Sequence, residues 1–283
     1  MNNEFYIPGQ VALITGGNVG IGRITAIELA KKGFKVVIAG RSLERTQPVL
    51  NHINSEGVDE EAIYLPLDLA SFASVRECAR LFLQLNLPLH LLVNNAGVAG
   101  LRGLTKDGFE MTFGVNHLGH FLLTQLLLEK MQSSGLSRIV TVSSRAHKRA
   151  ASIDWNALCQ PTRSWTGIRE YAVSKLANLL FSAELAKRVQ GTSVSTYSLH
   201  PGVVDTEIWR SVPDWVRPLL RLRGFLTPEE GALTTLHCAM HAPQQESGLY
   251  YSDSKPMQPA APGRNSELAA ELWRRSEEWV SQS

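Results

Sequence analysis

The chain has 283 residues, 44% apolar and 19% charged, and its 28 Lys and Arg against 26 Asp and Glu leave a net charge of +2. That length predicts one or two domains at roughly 150 residues each, the composition excludes a disordered chain, and the charge balance gives no footprint for a nucleic acid. No apolar run reaches the roughly 18 residues of a membrane span, the polar start at 1–10 predicts neither signal peptide nor anchor, and Cys78, Cys159 and Cys238 are too far apart for a disulfide framework or a CxxC zinc pair, so a cytoplasmic location is expected.

Residues 10–15 (QVALIT) read as a buried strand and 21–32 as a helix. Strand 35–39 (KVVIA) and helix 43–55 follow, with Pro48 inside the helix. Strand 62–67 leads to helix 71–85, where Ser71 can cap the N-terminus. Strand 89–93 (LHLLV) precedes a long helical stretch at 106–133, bent near Gly114 or Gly119. Strand 138–142 (RIVTV), helix 168–189 and a sixth strand at 193–199 continue the rhythm. Pro213 and Pro218 break it. Around them Ile208, Val212, Trp215, Val216 and Leu219 share a helical spacing, and Arg210, Arg217, Arg221 and Arg223 add charge. Strands apolar on both faces that alternate with helices predict a doubly wound parallel sheet. One continuous sheet favours one domain over 1–283, with its ligand at the C-terminal strand ends.

Gly16, Asn18, Gly20, Ile21 and Gly22 lie in the turn TGGNVGIG, after the first strand and opening the first helix. That context turns a glycine pattern into a phosphate-loop prediction: Gly16 for the turn, Gly20 for backbone approach, Gly22 for helix packing. The helix N-terminus offers free N–H groups to a pyrophosphate. The spacing is G-x-x-x-G-x-G, not the standard G-x-G-x-x-G. The second strand ends in Ile38-Ala39-Gly40-Arg41-Ser42, with no carboxylate. Arg41 can take a 2′-phosphate, so NADP(H) is preferred over NAD(H).

Tyr171 and Lys175 are four apart on a helix and share a face. An ammonium beside a phenol is expected to lower its pKa toward neutrality, which fits the phenol for proton transfer to a carbonyl oxygen or from an alcohol. Ser144, after the fifth strand, can hydrogen-bond the substrate oxygen. Asn94, Ala96 and Gly97 follow the fourth strand, and Asn116 is a candidate to hold a water or the Lys175 network. Each of these residues is ordinary alone; a single Tyr-x-x-x-Lys is usually a surface pair. It is their order after the right strands that carries the prediction.

This combined pattern resembles the short-chain dehydrogenase/reductase family over nearly the whole chain. The resemblance implies a Rossmann-type sheet of about seven strands in the order 3-2-1-4-5-6-7. It implies Tyr171 as general acid/base, Lys175 as the residue that lowers its pKa and holds the nicotinamide ribose, Ser144 as stabiliser of the substrate oxygen, and Asn116 as support for a proton relay. Asp68 and Leu69 would lie on the adenine side, with Asn94, Ala96 and Gly97 lining the cleft. Pro201, Gly202, Val204 and Thr206 look like the segment that meets the nicotinamide carboxamide. Within the family the chain looks like the retinol dehydrogenase group, on the segments 115–121, 143–147, 199–202 and 250–253 and on the 27 residues from Ser144 to Tyr171. The resemblance also implies a homodimer through 106–133 and 168–189.

By position, residues 203–227 are expected to form a lid over an apolar substrate pocket; packing on the body and peripheral contact with a membrane surface are the other readings. His237 and His241 lack a third ligand, and His117 and His120 read as packing or hydrogen-bonding residues near the cofactor helix, so no metal site is expected. The function expected is an NADP(H)-dependent oxidoreductase acting on a small apolar carbonyl or alcohol, of retinoid, steroid or lipid aldehyde type. The alternatives are a cofactor-binding regulatory protein with little turnover and an epimerase that recycles its nicotinamide.

Overall fold

The computed structural model describes residues 9–55, 61–202 and 226–282. Five buried residues make β1 (Val11–Thr15), and α1 (Gly20–Lys31) crosses to β2 (Lys35–Gly40). Then come α2 (Leu43–Ser55), β3 (Ile63–Pro66), α3 (Phe72–Gln84) and β4 (Leu91–Asn94). Ser71 caps α3 as its sequence position predicts, accepting from the Ser74 amide. The chain continues through α4 (Met111–Phe113), α5 (Gly119–Ser133), β5 (Ser137–Val142), α6 (Ile168–Arg188) and β6 (Val194–His200). It closes with α7 (Pro228–Met240), β7 (Tyr250–Ser252), β8 (Lys255–Pro256) and α8 (Ser266–Ser281).

The sheet order is β3-β2-β1-β4-β5-β6-β7-β8. The first seven strands are parallel, as expected, and β8 adds an antiparallel edge paired to β7. Asp253 and Ser254 both have φ near +55° (53° and 58°) in the two-residue turn that makes this hairpin. One apolar layer joins the sheet to α3, α5, α6 and α8, and the other joins it to α1, α2 and α7.

One difference from the sequence reading has a physical cause. The 106–133 stretch is not one bent helix: residues 106–110 are turn and bridge, and a π-helical turn, Gly114–Leu118, joins α4 to α5. A Cβ on Gly114 would lie 2.3 Å from Thr105 Cγ2, and one on Gly119 would lie 2.7 Å from the Leu69 carbonyl. These glycines therefore admit close neighbours rather than a simple bend. Part of the surface of α5 and α6 meets the chain's own α8. Trp273 of α8 stacks on Phe181 of α6 (5.8 Å, 12°) and meets Phe121 of α5 edge-on (5.0 Å). The expected lid falls at 203–225 outside the described residues, with Val204 and Thr206.

Candidate active site

The first loop is shaped as its glycines require. Gly16 and Gly20 have φ of +66° and +54°, and the Gly16 amide donates to the Ala39 carbonyl at 2.8 Å. A Cβ on Gly22 would lie 2.3 Å from Asn95 Nδ2 and 2.4 Å from the Gly16 carbonyl, so only glycine fits without movement. Asn18 and Ile21 lie partly exposed on the same turn. No side chain caps α1, and its first turn holds no acidic residue. The donors of a helix N-terminus are thus left for an anion.

Thr15 ties this loop to the end of β4, a role that sequence reading missed. Its Oγ1 accepts from the amides of Asn95 and Ala96, both at 3.0 Å, and lies 2.8 Å from His120 Nε2. His120 Nδ1 faces the Asn116 carbonyl at 3.0 Å, and a carbonyl only accepts. The proton is therefore on Nδ1, and the Thr15 hydroxyl donates to Nε2. Burial pushes His120 down to about 4 and keeps it neutral. Asn95 Nδ2 donates to the carbonyls of Thr15 (2.8 Å) and Gly16 (3.3 Å). Asn94, expected in the cleft, is instead wholly buried, with Nδ2 donating to Thr124 of α5 at 3.0 Å. Its strand pleat turns it toward α5 and gives the cleft side to Asn95.

At the other end of this cleft Arg41 is exposed beyond β2. Asp68 receives the Ala70 amide at 3.1 Å and pairs with exposed Lys106 at 3.4 Å. Leu69 is buried against Gly119. Pro201 and Gly202 follow β6 and are partly exposed.

Four of the expected residues converge where β4 and β5 end. The π-helical turn presents Asn116, whose side chain accepts from the Val98 amide (2.8 Å) and donates to the Val98 carbonyl and to Ser174 Oγ, both at 3.0 Å. Lys175 is 2% exposed and donates to the Val142 carbonyl at 2.9 Å. A Cβ on Gly97 would lie 3.4 Å from Asn116 Oδ1 and 3.5 Å from Lys175 Nζ, which marks these three as neighbours. The ammonium lies 5.6 Å from the centre of the Tyr171 ring, and the Ser144 side chain is close enough to the phenol to favour its charged form. Ser143 Oγ donates to the Lys175 carbonyl at 2.6 Å and pins α6 to the strand end.

The electrostatics differ from expectation. Part of Tyr171 reaches the cleft, yet burial in packed protein pushes its phenol up to about 12, against the lowering effect of Ser144. Burial also pulls Lys175 down to about 8. Desolvation penalises the charged form of both groups.

This constellation lies at the C-terminal edge of a parallel doubly wound sheet of Rossmann type. The family described as short chain dehydrogenase matches residues 10–217. Retinol dehydrogenase 11 of Homo sapiens is 43% identical, over 94% of this chain and 84% of its own length. Polyprenol dehydrogenase of Mus musculus is 45% identical, over 94% and 82%. A solved RhlG/NADP active-site complex of Pseudomonas aeruginosa superposes with a TM-score of 0.71 at 25% identity, over 88% of this chain and 96% of that one. The chain belongs to the short-chain dehydrogenase/reductase family and resembles its retinol dehydrogenase group.

Proposed function

We propose that this protein is an NADP(H)-dependent oxidoreductase that interconverts an apolar carbonyl compound and its alcohol within one dinucleotide-binding domain. The convergence of Asn116, Ser144, Tyr171 and Lys175 carries the reading. Cofactor preference rests on Arg41, free of any carboxylate at the end of β2, where a guanidinium suits a 2′-phosphate. The substrate class rests on the relatives named for retinol and polyprenol.

The residues present fit a dinucleotide. The uncapped α1 N-terminus suits its pyrophosphate, and the buried Lys175 ammonium, with three donors and Val142 as the acceptor, suits ribose hydroxyls. When bound, the nicotinamide supplies the hydride chemistry. The protein supplies the proton and the orientation. With its phenol near 12, Tyr171 carries its proton at neutral pH, and further positive charge at the site would have to lower that pKa for ready donation to a carbonyl oxygen. Ser144 Oγ accepts from the Ala146 amide at 3.1 Å, which sets its direction toward the same oxygen. In the oxidative direction Tyr171 must lose its proton, and the burial that raises its pKa opposes this until further positive charge reaches the site.

The chain is expected to act as a monomer across the α5–α6 face, which α8 occupies. Its three free thiols suit a reducing cytoplasm. Among the described residues no helix is long and apolar enough to cross a membrane.

The test follows NADPH oxidation with retinal, a medium-chain aldehyde, a steroid ketone and a quinone, with NADH and Tyr171→Phe in parallel. Turnover with NADPH is expected, reduced at least a hundredfold in Tyr171→Phe, in the usual range for a lost general acid. Tight NADPH binding with no turnover on any of the four would overturn the enzymatic reading and favour a regulatory role.

A further inference from the structure

His147 takes no part in the chemistry above, yet it is fully buried in the 3-10 turn that follows Ser144. Its Nδ1 lies 2.7 Å from the Ser144 carbonyl, and its Nε2 lies 3.3 Å from the Ala260 amide nitrogen. A carbonyl only accepts and an amide N–H only donates. Both contacts are satisfied by one form of the ring alone: neutral, with the proton on Nδ1. Burial lowers the His147 pKa and favours that neutral form. The ring is also held edge-on against Tyr250 of β7, at 5.2 Å and 79°.

Ala260 is the N-cap of the 3-10 turn Ala261–Arg264. That turn presses on α6, where a Cβ on Gly263 would lie 3.1 Å from Leu179 Cδ2. Leu179 is one helical turn beyond Lys175. The ring therefore connects the catalytic-loop backbone to a C-terminal segment that is itself seated on the helix carrying Tyr171 and Lys175.

We propose that His147 is a positioning residue for Ser144, a neutral crossbar between the Ser144 carbonyl and the Ala260 amide that makes the C-terminal segment part of the active-site scaffold. It acts on the serine through its backbone. The Ser144 carbonyl takes the imidazole N–H in addition to the His147 amide (3.1 Å), while Oγ takes the Ala146 amide. Loss of the ring frees the peptide plane, and with it the direction in which Oγ points. Displacements of this kind cost rate more than binding.

The inference rests on the role proposed for Ser144, so its test has one arm that needs no turnover. Imidazole nitrogen NMR on the full chain with labelled histidine, assigned by loss of the signal in His147→Asn, reads the tautomer directly. An Nδ1–H ring at pH 7 is expected; an Nε2–H or doubly protonated ring overturns the proposal. The second arm compares His147→Phe, which keeps the ring bulk without either bond, with His147→Asn, whose amide nitrogen takes the place of Nδ1. In His147→Phe, kcat is expected to fall about tenfold, the equivalent of one hydrogen bond, with KM and the dissociation constant of NADPH within twofold. His147→Asn should recover most of that loss. Unchanged kcat in His147→Phe overturns the proposal. So does an equal loss in both variants that follows their loss of folded protein, since that is what a purely structural residue gives. Absence of turnover in the wild type refutes the enzymatic reading instead and leaves the NMR result to decide the crossbar.

Discussion

Lysine 175 should make the protein less stable, and replacing it with methionine tests that. Burial lowers its pKa from 10.5 to about 8. At 1.36 kcal/mol per unit the folded state bears about 3 kcal/mol for keeping the ammonium charged. Below pH 8 the lysine is protonated in both states and the full cost applies. Between pH 8 and 10.5 the unfolded chain binds the extra proton, so this group's penalty fades as pH rises; above 10.5 it is gone. Lys175→Met removes the penalty and one hydrogen bond worth about 1 kcal/mol. The Val142 carbonyl is not left bare, because Asn178 Nδ2 also donates to it at 3.1 Å. The net gain at pH 7 is about 2 kcal/mol, or roughly 4–8 °C in melting temperature for a chain of this size. Thermal melts without nucleotide at pH 7, 9 and 10.5 should show an inactive variant that melts above the wild type at pH 7, by a margin that shrinks toward pH 10.5. A variant that melts lower at pH 7, or a margin independent of pH, would refute the reasoning.

Arg41→Ala should weaken NADPH binding about 10- to 100-fold, as expected for a charge-assisted contact of 1.5–3 kcal/mol, and leave NADH within threefold; equal losses for both would remove Arg41 from the phosphate site. Gly22→Ala places a methyl 2.3 Å from Asn95 Nδ2 and 2.4 Å from the Gly16 carbonyl, so backbone must move. A loss of about 1–3 kcal/mol in denaturant titration is expected, together with weaker dinucleotide binding by fluorescence; wild-type values in both would show that the loop yields freely. Trp273→Ala empties the site between Phe121 and Phe181 at a cost of about 3–5 kcal/mol. Sedimentation velocity should then show self-association through the uncovered α5–α6 face, and a variant that stays monomeric would mean that this face is not adhesive.

Strands such as Val11–Thr15 and Leu91–Asn94, buried on both faces, are legible from their apolar residues. Composition reveals such strands because a parallel sheet covered on both sides leaves no polar face to interrupt the run. The short strands β7 and β8 carry no such signal. Three residues and two residues carry no period, and the hairpin between them depends on positive φ at Asp253 and Ser254, neither of them glycine. The π-helical turn was hidden for a related reason. Gly114 and Gly119 signal a break in a helix, but not that Thr105 and Leu69 would occupy the space their missing side chains leave.

The site divides along a similar line. Tyr171, Lys175, Ser144 and Asn116 were legible because chemistry restricts residue type and the strand order restricts position. Thr15, Asn95 and His147 were not, since each acts by bridging backbone segments far apart in the chain. Thr15 and His120 are 105 residues apart, and His147 and Ala260 are 113 apart. Nor does spacing reveal the sign of an electrostatic effect. A lysine one turn from a tyrosine predicts a lowered phenol pKa in water-exposed surroundings, where the pair attraction acts on groups that stay solvated. Here the fold removes water from both groups, and burial raises the phenol and lowers the ammonium. The same dry surroundings that keep the Tyr171 phenol protonated make Lys175 costly to keep charged. Activity and stability therefore place opposite demands on one side chain, and the melting temperature of Lys175→Met measures the conflict.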